Sequence, residues 1–585
     1  MSSSTNRWIW LGALAGVLAV GAFFRAYELG EECFDCDELY AVRIHGTSLK
    51  TVGQVIGRDG FHTNHPPLMT VPYLYWGALF GLSETSIRAL PCLLGILSLV
   101  IIYRLGFRLG GPVVGLGAAA VLALNPLHIA YSREARQYAM MVFLVLGAHL
   151  FFLRMLQNGL TRDRVIYFIF SFFAIFTHYF GIPALAPHGV IALWVILTGE
   201  PQERRNAILA LLTLGLAVAP FLAWLPVVKY QSTIPWPHLQ GGDAGDILGC
   251  LKEVAGLGRG AGLLFWGGAT ALLVLLAAGL WQFRGVLLTA QKGDENPPLP
   301  RRAGLFMASL GVVTALVLWF ATPVYLHPPA REVLLSYGYG QETIDKELVV
   351  MRAALALFPA TIALQGICLV FWPSLIALLE RLPRVSSGWP LSSGLFVAGL
   401  IVIPILFVRI VALMGVPFVS ARNLLILAPP LAIGAGMGIA ALVRTRMGLL
   451  LATASLLGLV LAAWQYETIA SPFGGQGYEL GLHTGPWRKL AEELRTTVGA
   501  GKEVVSINLP VTDPALYYLP DFKHRRIVNI AELPSEVIAS PFIFLHLQKN
   551  YGSTQLLEAF RKQEGAIRTL VEADDLVVYE VDLRR

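Results

Sequence analysis

The segment Phe34-Asp35-Cys36-Asp37-Glu38-Leu39-Tyr40 gathers three carboxylates within four positions. Neighbouring side chains leave opposite sides of a strand and diverge by about 100° on a helix, so Asp37 and Glu38 cannot share one face. One of the two can therefore enter a cleft while the other orients a partner or a helix end. A carboxylate with a pKa of about 4 is ionised at neutral pH and can take a proton from an attacking group. Asp35-x-Asp37 also has the spacing of a divalent-metal motif. A solvated acidic loop would carry the same residues with no chemistry at all.

Further along, Asn64-His65-Pro66-Pro67-Leu68 sets a histidine against two rigid prolines. His65 could meet a phosphate, a metal or an acceptor, or serve only the loop. Tyr131-Ser132-Arg133-Glu134-Ala135-Arg136-Gln137-Tyr138 is the sharpest short segment, a brief connection between two apolar stretches. Arginine's planar fork matches phosphate or pyrophosphate, and Tyr138 can hydrogen-bond or stack on a sugar. Arg133 and Arg136 could equally pair with Glu134 or with the first-loop acids. Arg88, His178-Tyr179 and Arg422 stand at the ends of other apolar stretches. Singly, each suits an interfacial residue that snorkels to the headgroups; together, on one side, they suit a shared anion-binding cavity.

The elements that must position these residues are membrane helices. Of 585 residues, 55% are hydrophobic and 14% charged, and mean hydropathy is +0.62. Soluble domains carry about 25% charged residues, so a soluble, disordered, collagenous or coiled-coil chain is excluded. Five cysteines are too few for a disulfide framework. The net charge of +6 reflects basic cytoplasmic loops, and no basic-aromatic stripe suggests nucleic acid.

Apolar runs at 8–24, 88–103, 112–130, 138–153, 165–181, 184–198, 207–228, 262–282, 303–322, 352–379, 393–413, 424–441 and 448–465 predict about thirteen spans. The first reads as a retained anchor rather than a signal peptide. Residues 69–80 are expected along the interface. The arginines of alternate loops, from Arg7 through Arg104, Arg154 and Arg204, place the N-terminus in the cytoplasm and the C-terminus outside. The expected division is a helical bundle over 1–466, with its acidic first outer loop at 27–86, and a small extracytoplasmic α/β domain over 467–585. In the latter, helices are expected near 487–498 and 554–562, and strands at 502–508, 525–529, 541–546 and 575–581.

Taken in order, Asp37-Glu38, His65-Pro66-Pro67-Leu68, Arg88, Ser132 to Tyr138, Thr177-His178-Tyr179 and Arg422 resemble the GT-C glycosyltransferases, specifically the family 39 protein-mannosyltransferase type, which includes the lipid A aminoarabinose transferases. The resemblance implies a mainly α, polytopic membrane bundle of GT-C type. It implies an enzyme that takes a sugar from a polyprenyl phosphate and gives it, with inversion, to an acceptor hydroxyl outside the cytoplasm. The acceptor would be a glycolipid, a polysaccharide or a protein. By that resemblance Asp37 is the general base and Glu38 its partner, with Arg88 holding the base in position. His65, Arg88, Arg133, Arg136, Tyr138, His178, Tyr179, Lys229 and Arg422 fall to substrate binding. Arg133, Arg136 and Arg422, helped by Lys229, would meet the negative charge that grows on the leaving lipid phosphate.

The fit departs from the pattern at Arg422-Asn423, where such proteins have Arg-Tyr, and at Asp35 and the Cys33/Cys36 pair, which could close a small ring if the outside is oxidising. No cofactor is implied, and a divalent metal is left open. Two other readings remain: a lipid-linked sugar transporter or flippase, and a non-catalytic glycan-binding membrane protein.

Overall fold

The computed structural model describes residues 3–34, 37–43, 65–232, 244–255, 312, 391–413, 420–443, 487–498, 502–506, 515, 517–526, 541–547, 551–562, 566–573 and 576–583. In chain order the helices are α1 (Ser3–Ala26), α2 (Leu39–Arg43), α3 (Val71–Phe80), α4 (Glu84–Gly110), α5 (Pro112–Ala123), α6 (Pro126–Arg133), α7 (Tyr138–Asn158), α8 (Thr161–Thr177), α9 (Gly181–Thr198), α10 (Pro201–Gln231), α11 (Ala244–Val254), α12 (Ser393–Leu413), α13 (Ala428–Leu442), α14 (Trp487–Thr497) and α15 (Tyr551–Lys562). The strands are β1 (Glu503–Ser506), β2 (Lys523–Arg526), β3 (Phe542–Leu547), β4 (Ala566–Ala573) and β5 (Leu576–Asp582).

In hydrocarbon a backbone has no water to bond, so an apolar segment satisfies its own donors and acceptors as a helix. Seven of the described helices are long and apolar enough to cross a membrane: Trp8–Ala26, α4, α7, α9, α10, α12 and Asn423–Leu442, whose first turn is a 3-10 turn. The chain is a multi-pass integral membrane protein. The expected spans at 262–282, 303–322, 352–379 and 448–465 lie outside the described residues, Val312 apart. Within the described residues, α8 occupies an expected span but stops at Thr177 after 17 residues.

The span expected at 112–130 is not one helix. It is a pair, α5 and α6, bent by 62°. Pro126 lacks the N–H that would continue the ladder, and it disfavours helical backbone at Asn125. Asn125 instead caps α6, its Oδ1 accepting the His128 N–H at 2.8 Å. Other helix ends are equally local: α10 starts with a capping box between Glu200 and Glu203 behind Pro201, and α7 stops at Gly159, left-handed at φ 66°.

The chain divides into two compact units. The first comprises Met1–Tyr27, Thr47–Tyr75 and Leu90–Trp464. Small residues let its helices approach closely. A Cβ on Gly436 of α13 would lie 2.7 Å from both the Ala118 nitrogen and the Val114 oxygen of α5. Polar ties add register: Tyr167, His188 and His149, from α8, α9 and α7, form a buried chain with links of 2.9 Å and 2.8 Å. Arg25 of α1, fully buried, donates to the carbonyls of Gly21, Leu122 and Ala123 and meets His128 Nδ1 at 2.7 Å.

The second unit comprises Glu28–Gly46, Trp76–Ala89 and Gln465–Arg585. Its sheet has the order β2-β1-β3-β5-β4, with β2, β1 and β3 parallel and β5 antiparallel to both β3 and β4. Alternation along the strands feeds two cores. Val504, Ile543 and Leu545 join Trp487, Leu490 and Leu494 of α14, whereas Val505, Phe542 and Phe544 join Leu556, Leu557 and Phe560 of α15. Both expected helices are present, and four of the strands overlap their expected positions. The fifth, β4, carries Arg568 and Glu572 and an irregularity between Thr569 and Val571, which interrupts the alternation a strand would show in sequence.

Candidate active site

Each unit holds one polar cluster built from residues that the sequence singles out. In the second unit, Glu38 opens α2, its carbonyl accepting the Ala41 N–H at 2.9 Å. Its side chain is fully buried. Arg88, in the second turn of α4, meets that carboxylate side-on, Nε to Oε1 at 2.8 Å and Nη2 to Oε2 at 2.6 Å. Arg88 Nη1 donates to the carbonyls of Leu29 at 3.2 Å and Glu32 at 2.8 Å, and Nη2 to that of Cys33 at 3.0 Å. A guanidinium has five N–H donors, so every donor of Arg88 ends on the protein itself. The Phe34 ring covers its face at 5.4 Å.

The acidic pair therefore divides as its spacing requires. Glu38 turns inward to a bidentate, desolvated ion pair, and Asp37 stays half-buried. Removing one partner of such a pair costs about 3–5 kcal/mol, because the other is left charged and dry. Arg88 is tied to Glu38 and to the backbone of 29–33. Cys33 is a buried free thiol; Asp35 and Cys36 lie outside the described residues.

In the first unit the cluster forms around the corner between α6 and α7. Arg136 Nη2 approaches His65 Nε2 at 3.3 Å, and the Gln137 amide approaches His65 Nδ1 at 3.2 Å. Arginine can only donate, so His65 Nε2 accepts and Nδ1 carries the proton. Gln137 Nε2 lies 3.2 Å from Nδ1 and 3.3 Å from Nε2 of that ring. Tyr73 OH donates to the Arg136 carbonyl at 3.0 Å.

His178 follows α8, its ring tilted against those of His65 (5.3 Å) and Tyr138 (5.6 Å). The Arg422 guanidinium lies 5.8 Å from the Tyr138 ring centre. His178 Nδ1 accepts the Phe180 N–H at 3.1 Å, which leaves the proton on Nε2. That buried donor has no acceptor among the described residues. Tyr179 faces a different set: its hydroxyl donates to Gln231 Oε1 at 2.5 Å and accepts from Trp224 Nε1 at 3.0 Å, while Gln231 Nε2 donates to the His65 carbonyl at 3.2 Å.

Thus the first unit gathers His65, Arg136, Tyr138, His178, Tyr179 and Arg422. Arg133, half-buried, donates to the Phe24 carbonyl at 3.1 Å. Lys229 is exposed on the last turn of α10, with no side-chain partner among the described residues. Gln137, Gln231, Trp224 and Tyr73 complete the cluster without having been singled out. A glutamine closing an apolar helix was the available signal for Gln231. Among the described residues, no three His, Cys, Asp or Glu side chains gather as a metal site would require.

The family model described as dolichyl-phosphate-mannose-protein mannosyltransferase matches residues 64–224. No curated protein matches the chain. Similar solved structures include ArnT from Cupriavidus metallidurans bound to undecaprenyl phosphate (14% identity, 99% of this chain and 98% of that one, TM-score 0.39) and the same protein in the apo state (14%, 99% and 98%, 0.41). Another is the archaeal oligosaccharyltransferase AglB from Archaeoglobus fulgidus with an inhibitory peptide and a dolichol-phosphate (13%, 89% and 65%, 0.40). Asp37, Glu38, Lys229 and Arg422 lie outside the matched segment, whereas His65, Arg88, Arg133, Arg136, Tyr138, His178 and Tyr179 lie within it. Residues 64–224 of this chain carry the pattern of the dolichyl-phosphate-mannose-protein mannosyltransferases, the membrane glycosyltransferase type that its motifs resemble.

Proposed function

We propose that the chain is a membrane glycosyltransferase that takes a sugar from a polyprenyl phosphate and passes it, with inversion, to an acceptor hydroxyl on the extracytoplasmic side. Glycolipids, polysaccharides and proteins all offer such a hydroxyl. The observation that carries the reading is the division of labour within the acidic pair. Glu38 is neutralised by Arg88, and the adjacent Asp37 remains half-buried in the segment that Arg88 holds. The family match over 64–224 supports the same reading.

Asp37 accepts the proton of the acceptor hydroxyl as that oxygen attacks the anomeric carbon. The bond from that carbon to the phosphate oxygen breaks on the opposite face, and polyprenyl phosphate leaves with the electron pair. A phosphate is a stable anion and needs no strong acid; it needs positive charge and donors where its own charge grows. Arg136, Arg422 and the Nε2–H of His178 supply these, with Arg133 and Lys229 as further cations. Tyr138, buried against Tyr131, His178 and Arg422, fixes the place of these donors in the cluster. Arg88 and Glu38 position the base. The N-terminus lies in the cytoplasm and the α/β fold outside.

Lipid mass spectrometry of material co-purified with the full chain tests this. A polyprenyl phosphate, with or without its sugar, is expected. Recovery of glycolipids lacking a prenyl phosphate, or movement of labelled lipid across vesicles without sugar transfer, would contradict it.

A further inference from the structure

The loop that carries Asp37 and Glu38 is held from two directions within the second unit. Arg88 takes one side. Two residues from the far end of the chain, Arg488 and Tyr518, take the other. Arg488 Nη2 donates to the carbonyls of Gly30 at 2.9 Å and Glu31 at 2.6 Å. Tyr518 OH accepts the Phe34 N–H at 2.7 Å and donates to Glu84 Oε1 at 2.8 Å. Glu84 is also 3.5 Å from Arg488 Nε, and it begins the helix that bears Arg88. The carbonyls of residues 29–33 are thus bonded in succession to two guanidiniums, and the next N–H to a phenol.

The loop has little freedom to drift. Glu28 turns it through left-handed backbone at φ 51°. A Cβ on Gly30 would lie 2.0 Å from Thr85 Oγ1, so the backbone there lies flush against α4. The phenol is the pivotal atom because it does two jobs at once. It satisfies a buried N–H three positions before Asp37, and it ties that N–H to the same helix end that supplies Arg88.

We infer that Tyr518 and Arg488 of the C-terminal α/β fold are positioning residues for the base, a role that rests on the function proposed above. They touch no substrate. They set where Asp37 stands by fixing residues 30–34, and a displacement of about 1 Å at a reacting group can cost about a hundredfold in rate. A merely packed domain would have no need of polar bonds to Gly30, Glu31 and Phe34 of this loop; apolar contact with Phe34 alone would suffice.

Tyr518→Phe removes only the hydroxyl and keeps the ring parallel to Trp487 and edge-on to Tyr517. In the full chain in detergent, sugar release from tritiated polyprenyl-phosphate mannose is measured with KM and kcat separated. Tyr518→Phe and Arg488→Ala are expected to lower kcat by about 10- to 100-fold, to leave KM within about twofold, and to hasten amide exchange in residues 28–43 but not in 138–158. Arg488→Lys, which keeps one donor, is expected to recover part of the loss. Wild-type kcat in both variants, or a loss that appears equally in kcat, KM and exchange throughout the chain, overturns the inference. Asp37→Asn run in parallel separates the two questions. If it releases sugar at the wild-type rate, the proposed function fails; if it is inactive while Tyr518→Phe and Arg488→Ala keep the wild-type kcat, only the positioning role fails.

Discussion

Tyr518 gives the second unit a titration signature of its own. Burial first, then the nearby Cys33 and Glu84, pushes its phenol well above the ordinary tyrosine value, and burial pushes Tyr517 up to about 12. The unfolded phenol ionises near pH ~10. The stabilisation is therefore complete below that pH. It is lost as pH rises above it, where the unfolded chain releases a proton that the folded chain keeps. Unfolding of the full protein in detergent between pH 8 and 11 is expected to lose stability more steeply for the wild type than for Tyr518→Phe; equal slopes would show that the phenol is not held in this way. The residue types of the site were readable in the sequence: Asp37 and Glu38 by adjacency, Arg136 and His178 by their place beside apolar stretches. Their partners were not. Nothing local in Glu38 announces Arg88, fifty positions on, or in Phe34 announces Tyr518. Lys229, exposed at the end of α10, has no side-chain partner among the described residues.

At the scale of elements, the hydropathy of the described spans was decisive wherever the helix was long and uninterrupted. At 112–130 the apolar composition continues through Asn125-Pro126, and only the turn chemistry of that dipeptide announces the 62° bend. The bend has a consequence, since α6 then ends at Arg133 and the chain turns through Glu134 to Gln137 before α7. The approach of α5 to α13 was equally hidden, because a run of glycines in a membrane helix says that something comes close without saying what. Gly436→Ala would set a methyl against the backbone of α5 at 2.7 Å. A loss of about 1–3 kcal/mol is expected, read as a lower thermal midpoint in detergent, with weakened donor binding because Arg422 lies just before α13. An unchanged midpoint would mean that the helices part at no cost.

Each of the two units holds one polar cluster: an acidic pair with its arginine in one, and a basic, histidine- and tyrosine-rich group in the other. Composition already required a membrane protein, and strand alternation already marked a small α/β fold near the C-terminus. What no linear reading could reveal is that residues 28–46 and 76–89 belong to the same compact unit as that fold, because membership is decided by bonds such as those of Arg488 and Tyr518. Under the proposed function, donor binding and proton removal are separable tasks. The most direct test is therefore Asp37→Asn in the full chain, with binding of the polyprenyl-phosphate sugar that co-purifies with the wild type and transfer of that sugar measured side by side. Binding within about twofold of wild type and transfer reduced by about 10²–10⁴-fold is the predicted result. Transfer at the wild-type rate would contradict it.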